Sequence, residues 1–298
     1  MYYDTNLRKY VGHNLRFDEC KTNYGFTDLY WILYNKNNEV LLASGHYGQH
    51  RLYQICKKKL HIEKFNEYYD DTLFRNIILK TACQCNGNYL FIDKNLDYIA
   101  VFDSTFEFLY SIYIRYISCP ENYGNRSYFT ITDSICSNIR GDIYINTAGV
   151  SGRQYNIYKF NEKGILSKKI LCKTTDNYNS NITSIQSHNL QFYVSANDIL
   201  MIYDADLNFI SKYNISGSAH NRYYDSKMEF IGNNLIIKYS DKILIYDIRK
   251  INNMSNMSNT LDVIDTIKNM SYPYDITIVD NKLLISNSNE LYYYDKSF

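Results

Sequence analysis

A short apolar strand that ends in an aromatic residue followed by Asp or Asn recurs along this chain of 298 residues. Successive copies lie 43 to 58 residues apart. A repeat of this length indicates an architecture in which each copy is one small unit of supersecondary structure. The clear copies are IAVFD, NIYKFN, LMIYD, ILIYD and LYYYD, ending at Asp103, Asn161, Asp204, Asp247 and Asp295, and a weaker copy, RLYQIC, ends at Cys56.

A second marker precedes each of these strands, and it consists of a polar residue that leads into a strand of alternating polarity. It reads FTDLYWI, LKTACQC, ITDSICS, NITSIQS, DSKMEFI and PYDITIV. Two independent markers therefore count six copies in nearly the same phase. The third positions of this second marker are Asp28, Thr81, Asp133, Thr183, Lys227 and Asp275.

Each copy contains four short strands separated by turns. The clearest one runs SICSN, GDIYINT, QYNIYKF and GILSKKI, with EKG turning the last hairpin. Alternating apolar residues in such short strands suit an antiparallel sheet. Six four-stranded units of this size predict an all-β fold, a six-bladed β-propeller formed as one domain by residues 1–298, with seven blades as the alternative.

The two ends of the chain predict how this propeller closes. The last copy stops after its third strand, whereas the chain begins with a strand-like segment ahead of the first copy. We expect residues 6–11 to pair with residues 291–295 and to complete the last blade, because this pairing covers an otherwise exposed sheet edge.

The order of these strands, with a GDIYINT-like second strand, an IYKFN-like third strand and an EKG turn, resembles NHL and WD-repeat propellers. It is also similar to the WD-like propellers of giant-virus BTB/POZ proteins, although this chain has no BTB/POZ segment. The resemblance covers nearly the whole chain. It implies a protein that binds protein partners. The richness in Tyr, Asn, Ile and Lys is typical of AT-rich genomes and predicts a viral or protist origin.

The composition argues against several classes of function. Lys and Arg number 32 against 31 Asp and Glu, without a basic stripe, which argues against a nucleic-acid partner. No apolar run approaches the ~20 residues of a membrane span, and the first residues lack the apolar core of a secretory signal. The seven cysteines form an odd, irregularly spaced set, which predicts reduced thiols and a cytoplasmic location.

The third positions of the second marker are the candidate site, because residues at one position of the inner strands form a ring at the mouth of a propeller channel. Three carboxylates and two hydroxyls are ligands that Ca²⁺ accepts. This ring resembles the metal-binding acidic ring of six-bladed phosphotriesterases and lactonases, but Lys227 stands within it. The alternative is that the Asp and Thr side chains bond neighbouring backbone amides where each strand begins.

The sequence contains no phosphate-binding loop and no nucleophile elbow. We therefore expect no catalytic residue, no bound metal and no cofactor. The predicted function is a non-enzymatic scaffold for protein–protein interaction. The alternatives are a metal-dependent hydrolase and a structural component of a virion or an assembly.

Overall fold

The structure is a computed structural model, and it describes the 25 strands together with some of their connections. The described residues are 7–9, 29–34, 40–46, 49–56, 61–64, 79–85, 87–93, 98–103, 108–113, 130–148, 155–172, 182–196, 198–215, 227–239, 241–252, 260–267, 275–279, 282–286 and 291–294.

The described strands form six sheets, which we number in chain order. The first strand, β1 (Leu7–Lys9), belongs to the last sheet. Sheet 1 contains β2 (Leu29–Tyr34), β3 (Val40–His46), β4 (Gln49–Cys56) and β5 (His61–Lys64). Sheet 2 contains β6 (Leu79–Cys85), β7 (Asn88–Asp93), β8 (Tyr98–Phe102) and β9 (Phe108–Tyr113). Sheet 3 contains β10 (Thr130–Ser137), β11 (Ile143–Ala148), β12 (Tyr155–Phe160) and β13 (Leu166–Cys172).

Sheet 4 has a fifth strand, which comes from the chain segment between the third and fourth strands of sheet 5. Sheet 4 contains β14 (Ile182–His188), β15 (Gln191–Ala196), β16 (Ile199–Asp204) and β17 (Phe209–Ile215), and β21 (Thr260–Leu261) pairs in parallel with β17. Sheet 5 contains β18 (Lys227–Ile231), β19 (Asn234–Lys238), β20 (Ile243–Asp247) and β22 (Val263–Ile267), with a 3-10 helix (Ile248–Asn252) after β20. Sheet 6 contains β23 (Asp275–Val279), β24 (Lys282–Ser286), β25 (Leu291–Tyr294) and β1.

Apart from the β17–β21 pair, neighbouring strands of these sheets are antiparallel, and the first three strands of each sheet follow one another as a meander. The predicted all-β class is confirmed. In sheet 6 the outer position is taken by β1, which pairs with β25 through Leu7 opposite Tyr294 and Lys9 opposite Tyr292. The first strands of successive sheets contact each other, and β23 also contacts β2.

The aromatic residue of the first sequence marker lies in the core. Apolar clusters fill the spaces between sheets 2 and 3, 3 and 4, 4 and 5, and 5 and 6. Each of these clusters receives one marker ring from the third strand of a sheet. The buried marker rings are Phe102, Phe160, Tyr203, Tyr246 and Tyr294.

The Asp or Asn that follows the marker ring shapes the next turn. Asn161 Oδ1 accepts hydrogen bonds from the backbone amides of Lys163 (3.0 Å) and Ile165 (2.9 Å). Asp204 Oδ1 does the same for Asp206 and Asn208, both at 2.8 Å. Short side chains with an acceptor oxygen replace a backbone partner in such turns. The marker therefore combines a core anchor with the residue that folds the chain into the fourth strand.

Two buried tyrosines of sheet 3 allow a paired test of this core. The Tyr144 hydroxyl donates to the Ala205 carbonyl (2.7 Å) and accepts from Asn138 Nδ2 (2.9 Å). The Tyr158 hydroxyl is buried and has no hydrogen-bond partner among the described residues. Because a buried polar group without a partner destabilises the fold, Tyr158→Phe should leave the free energy of unfolding unchanged or raise it by about 1 kcal/mol.

Tyr144→Phe is the matched control, because it removes a hydroxyl that has two partners. It should lower the free energy of unfolding by about 1–2 kcal/mol. Urea denaturation of both variants measures the difference. Equal losses in the two variants would show that the Tyr158 hydroxyl is also satisfied.

Candidate functional site

The registers of the inner strands place two rows of polar residues side by side. The last residue of each of β14, β18 and β23 is paired with the residue three positions later in the chain. This pairing gives a common point from which positions along the three strands can be numbered. Ser184, Lys227 and Asp275 then occupy equivalent positions. Two residues further on, and therefore on the same face of each strand, are Gln186, Glu229 and Thr277. Thr183 lies at an irregularity of the β14–β15 pairing, between Ile182 and Ser184.

The first row is bonded across three inner strands. Lys227 Nζ lies 2.8 Å from Asp275 Oδ1, which joins β18 to β23. Asp275 Oδ1 also accepts a hydrogen bond from the backbone amide of Ile276 (2.8 Å). The hydroxyl of Ser184 accepts from the backbone amide of Met228 (3.1 Å), which joins β14 to β18. The Asp275 carboxylate thus accepts a hydrogen bond from the neighbouring backbone and also forms an ion pair with Lys227.

The second row places a carboxyl group against an amide and an ammonium group. Gln186 Nε2 donates to Glu229 Oε2 (3.3 Å) and to the Met228 carbonyl (3.1 Å). Glu229 Oε1 lies 3.7 Å from Lys227 Nζ, farther away than Asp275. Lys227 therefore neutralises Asp275 directly and Glu229 only partly.

Burial and charge perturb the acid–base equilibria of this cluster. Burial raises the pKa of Glu229 to about 7, and the negative charge of Asp275 adds to this effect while Lys227 opposes it. Burial alone would lower the pKa of Lys227, but the two carboxylates outweigh it, so the pKa is raised above the ordinary lysine value. Lys227 is charged at neutral pH, whereas Glu229 titrates close to it.

The pKa of Glu229 predicts how stability depends on pH. Its pKa is about 7 in the folded chain and 4.5 in the reference state, so between these values the folded chain binds more protons than the unfolded chain. The free energy of unfolding therefore falls as pH rises from 4.5 to above 7. Glu229→Gln should stabilise the protein by about 1–3 kcal/mol at pH 8, with the difference from wild type disappearing toward pH 4.5.

Urea denaturation at pH 5 and pH 8 checks this expectation. Gln186→Ala, which removes a neighbour without removing the carboxyl group, is the control and should retain the pH dependence. A Glu229→Gln variant less stable than wild type at pH 8 would show instead that the ionised carboxylate is favourable beside Lys227.

Of the six residues in the predicted ring, the structure brings Lys227 and Asp275 into contact. Asp28 lies outside the described residues. For Thr81, Asp133 and Thr183 the description extends to the backbone of β6, β10 and β14 but not to the side chains. The complete ring thus stays a prediction.

Sequence reasoning did not single out Ser184, Gln186 or Glu229. Gln186 and Glu229 could have been found from the alternation of side chains along a strand. Each stands two positions after a residue of the first row and therefore lies on the same face of its strand. Ser184 could not be found from the sequence pattern, which assigns this position to Thr183. The irregular pairing between Ile182 and Ser184 shifts the register by one residue and places Ser184 there.

Within the described ranges, no three His, Cys, Asp or Glu side chains are grouped so that they could hold a metal ion. The ammonium group of Lys227 also opposes cation binding at its position, because like charges repel. In the described part of the chain, no helix has both the length and the apolar composition of a membrane span.

A second surface is formed by the turns. In an antiparallel meander the turns after the first and third strands lie at the same end of the sheet, and we call this end the turn face. Eight large apolar side chains of the described residues are exposed, and seven of them lie at these turns or at the start of a fourth strand. Ile139 is 81% exposed. The seven are Leu109, Ile139, Ile165, Leu166, Phe209, Ile210 and Ile264, and Leu171 lies toward the other end of its strand.

Comparison with solved structures shows a β-propeller fold. The chain is similar to a putative gluconolactonase, with a TM-score of 0.60, 11% identity and coverage of 98% of this chain and 92% of that one. It is similar to streptogramin B lyase, with a TM-score of 0.52, 12% identity and coverage of 96% of each chain. A chain of the nidogen–laminin complex gives a TM-score of 0.54 and 10% identity over 82% of each chain.

These similarities confirm the predicted resemblance to known propellers at the level of the fold. They include enzymes and a protein found in a complex with another protein, so the fold alone does not select a function. No protein-family model matches the chain, and no curated protein matches it.

Proposed function

We propose that residues 1–298 form one closed six-bladed propeller in which β1 completes the last blade. The six described sheets, the contact of β23 with β2 and the pairing of β1 with β25 support this arrangement. Pairing of the two chain ends within one sheet covers the edge of β25.

The function that we propose for this propeller is a scaffold that binds a protein partner through its turn face. The observation that carries the proposal is that seven of the eight exposed large apolar side chains of the described residues lie toward this one end of the sheets. Isolated apolar residues are normal on a protein surface, but an uneven distribution that favours one face indicates an interaction site. The turns vary between blades while the sheets hold them in place, which suits specific recognition.

Variants of the turn face test this proposal. Ile139→Asp combined with Phe209→Asp should abolish the capture of the partner by the purified chain from its native cell, since charges then lie in the contact. The captured protein is identified by mass spectrometry and its binding is measured again with the purified partner. Leu171→Asp makes the same chemical change toward the other end of a strand and should retain binding. If wild type, the double variant and Leu171→Asp all captured the partner equally, the turn face would not be the binding surface.

A metal-dependent hydrolase is the second candidate, because a largely buried carboxyl group such as Glu229, with its pKa raised to about 7, is typical of catalytic sites. Lys227 beside Asp275 argues against a metal there. Wild type should show no metal-dependent hydrolysis of aryl esters or phosphotriesters above buffer. Turnover that disappears in an Asp28→Asn, Asp133→Asn, Asp275→Asn triple variant would overturn the scaffold proposal.

We also propose that the protein acts in the cytoplasm, free of nucleic acid and membrane. Cys136 and Cys172 carry buried thiol groups, and burial raises the pKa of Cys172 to about 11, which keeps it protonated and unreactive. The viral or protist origin, the kinship with giant-virus propellers and a role in a virion stay predictions.

Thiol titration tests the proposed cytoplasmic location, because cysteines in a reducing compartment stay free of disulfides. Under denaturing, non-reducing conditions the protein should show seven free thiols, one for each cysteine of the sequence. A count of five or fewer would reveal at least one disulfide and contradict the cytoplasmic proposal.

A further inference from the structure

A cleft of about 480 Å³ opens between sheets 4 and 5 on the turn face. One wall is the β14–β15 hairpin with Asn189 and Gln191, and the other contains Asn233 from the β18–β19 turn. The 3-10 helix after β20 supplies Ile248, Arg249 and Ile251. This volume lies within the range of ligand-binding pockets, ~300–1,000 Å³.

The hairpin wall is held in place by ring contacts and hydrogen bonds. The His188 ring stacks on Phe230 of the neighbouring sheet, with centroids 4.4 Å apart and planes 8° from parallel. Its Nε2 atom lies 2.9 Å from Asn189 Nδ2. The Tyr193 hydroxyl donates to Gln191 Oε1 (2.7 Å), which leaves the Gln191 amide nitrogen as a donor toward a ligand. A preformed wall lowers the entropy lost when a ligand binds.

The lining of the cleft carries little net charge. Among the described lining residues, Arg249 is the one with a permanent positive charge. Its guanidinium is held by both oxygens of Asp247, with Nη2 2.6 Å from Oδ2. Burial lowers the pKa of His188, so this ring is neutral at neutral pH. A strongly charged ligand would therefore find no unpaired opposite charge among the described lining residues.

We propose that this cleft binds an extended, uncharged peptide segment of a protein partner. The amide side chains of Gln191, Asn189 and Asn233 offer donors and acceptors that match the peptide groups of an extended chain. Ile248 and Ile251 supply an apolar surface for one side chain of the peptide. The exposed Phe209 and Ile210 belong to the turn face of the same pair of sheets and extend the contact. The inference deepens the proposed scaffold function and rests on it.

A peptide library tests the cleft directly. A phage-displayed library of random dodecamers is panned on the full chain at pH 7.5, with counter-selection on Asn233→Trp, which fills the cleft from an exposed turn position. Enriched peptides are synthesised with a fluorescent label and titrated by anisotropy. We expect uncharged peptides with one large apolar residue, and a Kd at least tenfold higher for Asn233→Ala combined with Gln191→Ala, which removes two of the amide side chains assigned to the peptide.

Arg140→Ala is the matched control, because Arg140 is an exposed turn residue of sheet 3 outside the cleft. It should change the Kd by less than twofold, and thermal melting should show that every variant is folded. Absence of enriched peptides, or binding that is equal in the cleft variants and wild type, would overturn the proposal. A glycan-array ligand whose binding Asn233→Trp abolishes would also overturn it in favour of a carbohydrate site. The two proposals can fail separately. If no peptide binds the cleft but the turn-face variants still fail to capture the partner, the scaffold function is supported and only the assignment of the cleft is wrong.

Discussion

Deletion of residues 1–12 should destabilise the whole protein and not only its first strand. The deletion removes β1, whose three residues pair with Tyr292, Tyr293 and Tyr294 of β25. At about 1 kcal/mol for each ladder hydrogen bond, the free energy of unfolding should fall by about 3 kcal/mol or more. For a chain of this size the melting temperature should fall by about 5–10 °C.

Deletion of residues 1–5 is the matched control, because it shortens the chain but leaves β1 intact. Its melting temperature should stay within about 2 °C of wild type. The longer deletion should also aggregate on heating, since it uncovers the edge of β25. If both truncated proteins melted like the full chain, closure of the last sheet by β1 would be wrong.

Gly164→Ala should destabilise the protein more than the same change at Gly87 or Gly232. Gly164 has a φ of +74°, a conformation that costs an L-residue roughly 1–2 kcal/mol. A Cβ atom at this position would also lie 2.7 Å from Cγ1 of Ile112, a buried residue of the adjacent sheet. Together the two effects should lower the free energy of unfolding by about 2–4 kcal/mol.

Gly87→Ala separates the two effects. Gly87 has a φ of +86°, but a Cβ atom there would meet no atom of the described residues within 4 Å. The Gly87→Ala variant should therefore lower the free energy of unfolding by only about 1–2 kcal/mol, which is the contribution of the backbone conformation. Denaturant titration of both variants gives the difference, which measures the steric contact between sheets 2 and 3. Equal losses would mean that Ile112 moves aside without cost.

The regular part of the fold was predictable from local sequence signals. The marker strands that end at Asn161 and Asp204 place an aromatic residue in the core and an acceptor side chain at the following turn. Both requirements concern residues next to each other in the chain, so they leave a pattern in the sequence. The EKG turn was predictable for the same reason, with Asn161 as its acceptor and Gly164 as its residue of positive φ.

The candidate site was predictable only in part. Lys227 and Asp275 belong to the repeat, and their position at the start of an inner strand follows from it. Their ion pair depends on the distance between two strands that are far apart in sequence. The raised pKa of Glu229 depends on burial, and burial of a particular carboxyl group follows from the packing of several strands.

The sequence by itself determined the all-β class, the repeat of four-stranded units and the turn residues, because alternation and turn chemistry act over a few neighbouring residues. Only the tertiary structure decided that Ser184 stands in register with Lys227, that Gln186 bonds Glu229, and that a cleft lies between sheets 4 and 5. These features arise where different sheets meet. Their geometry depends on strand registers, irregular pairing and packing distances, which no local pattern in the chain records.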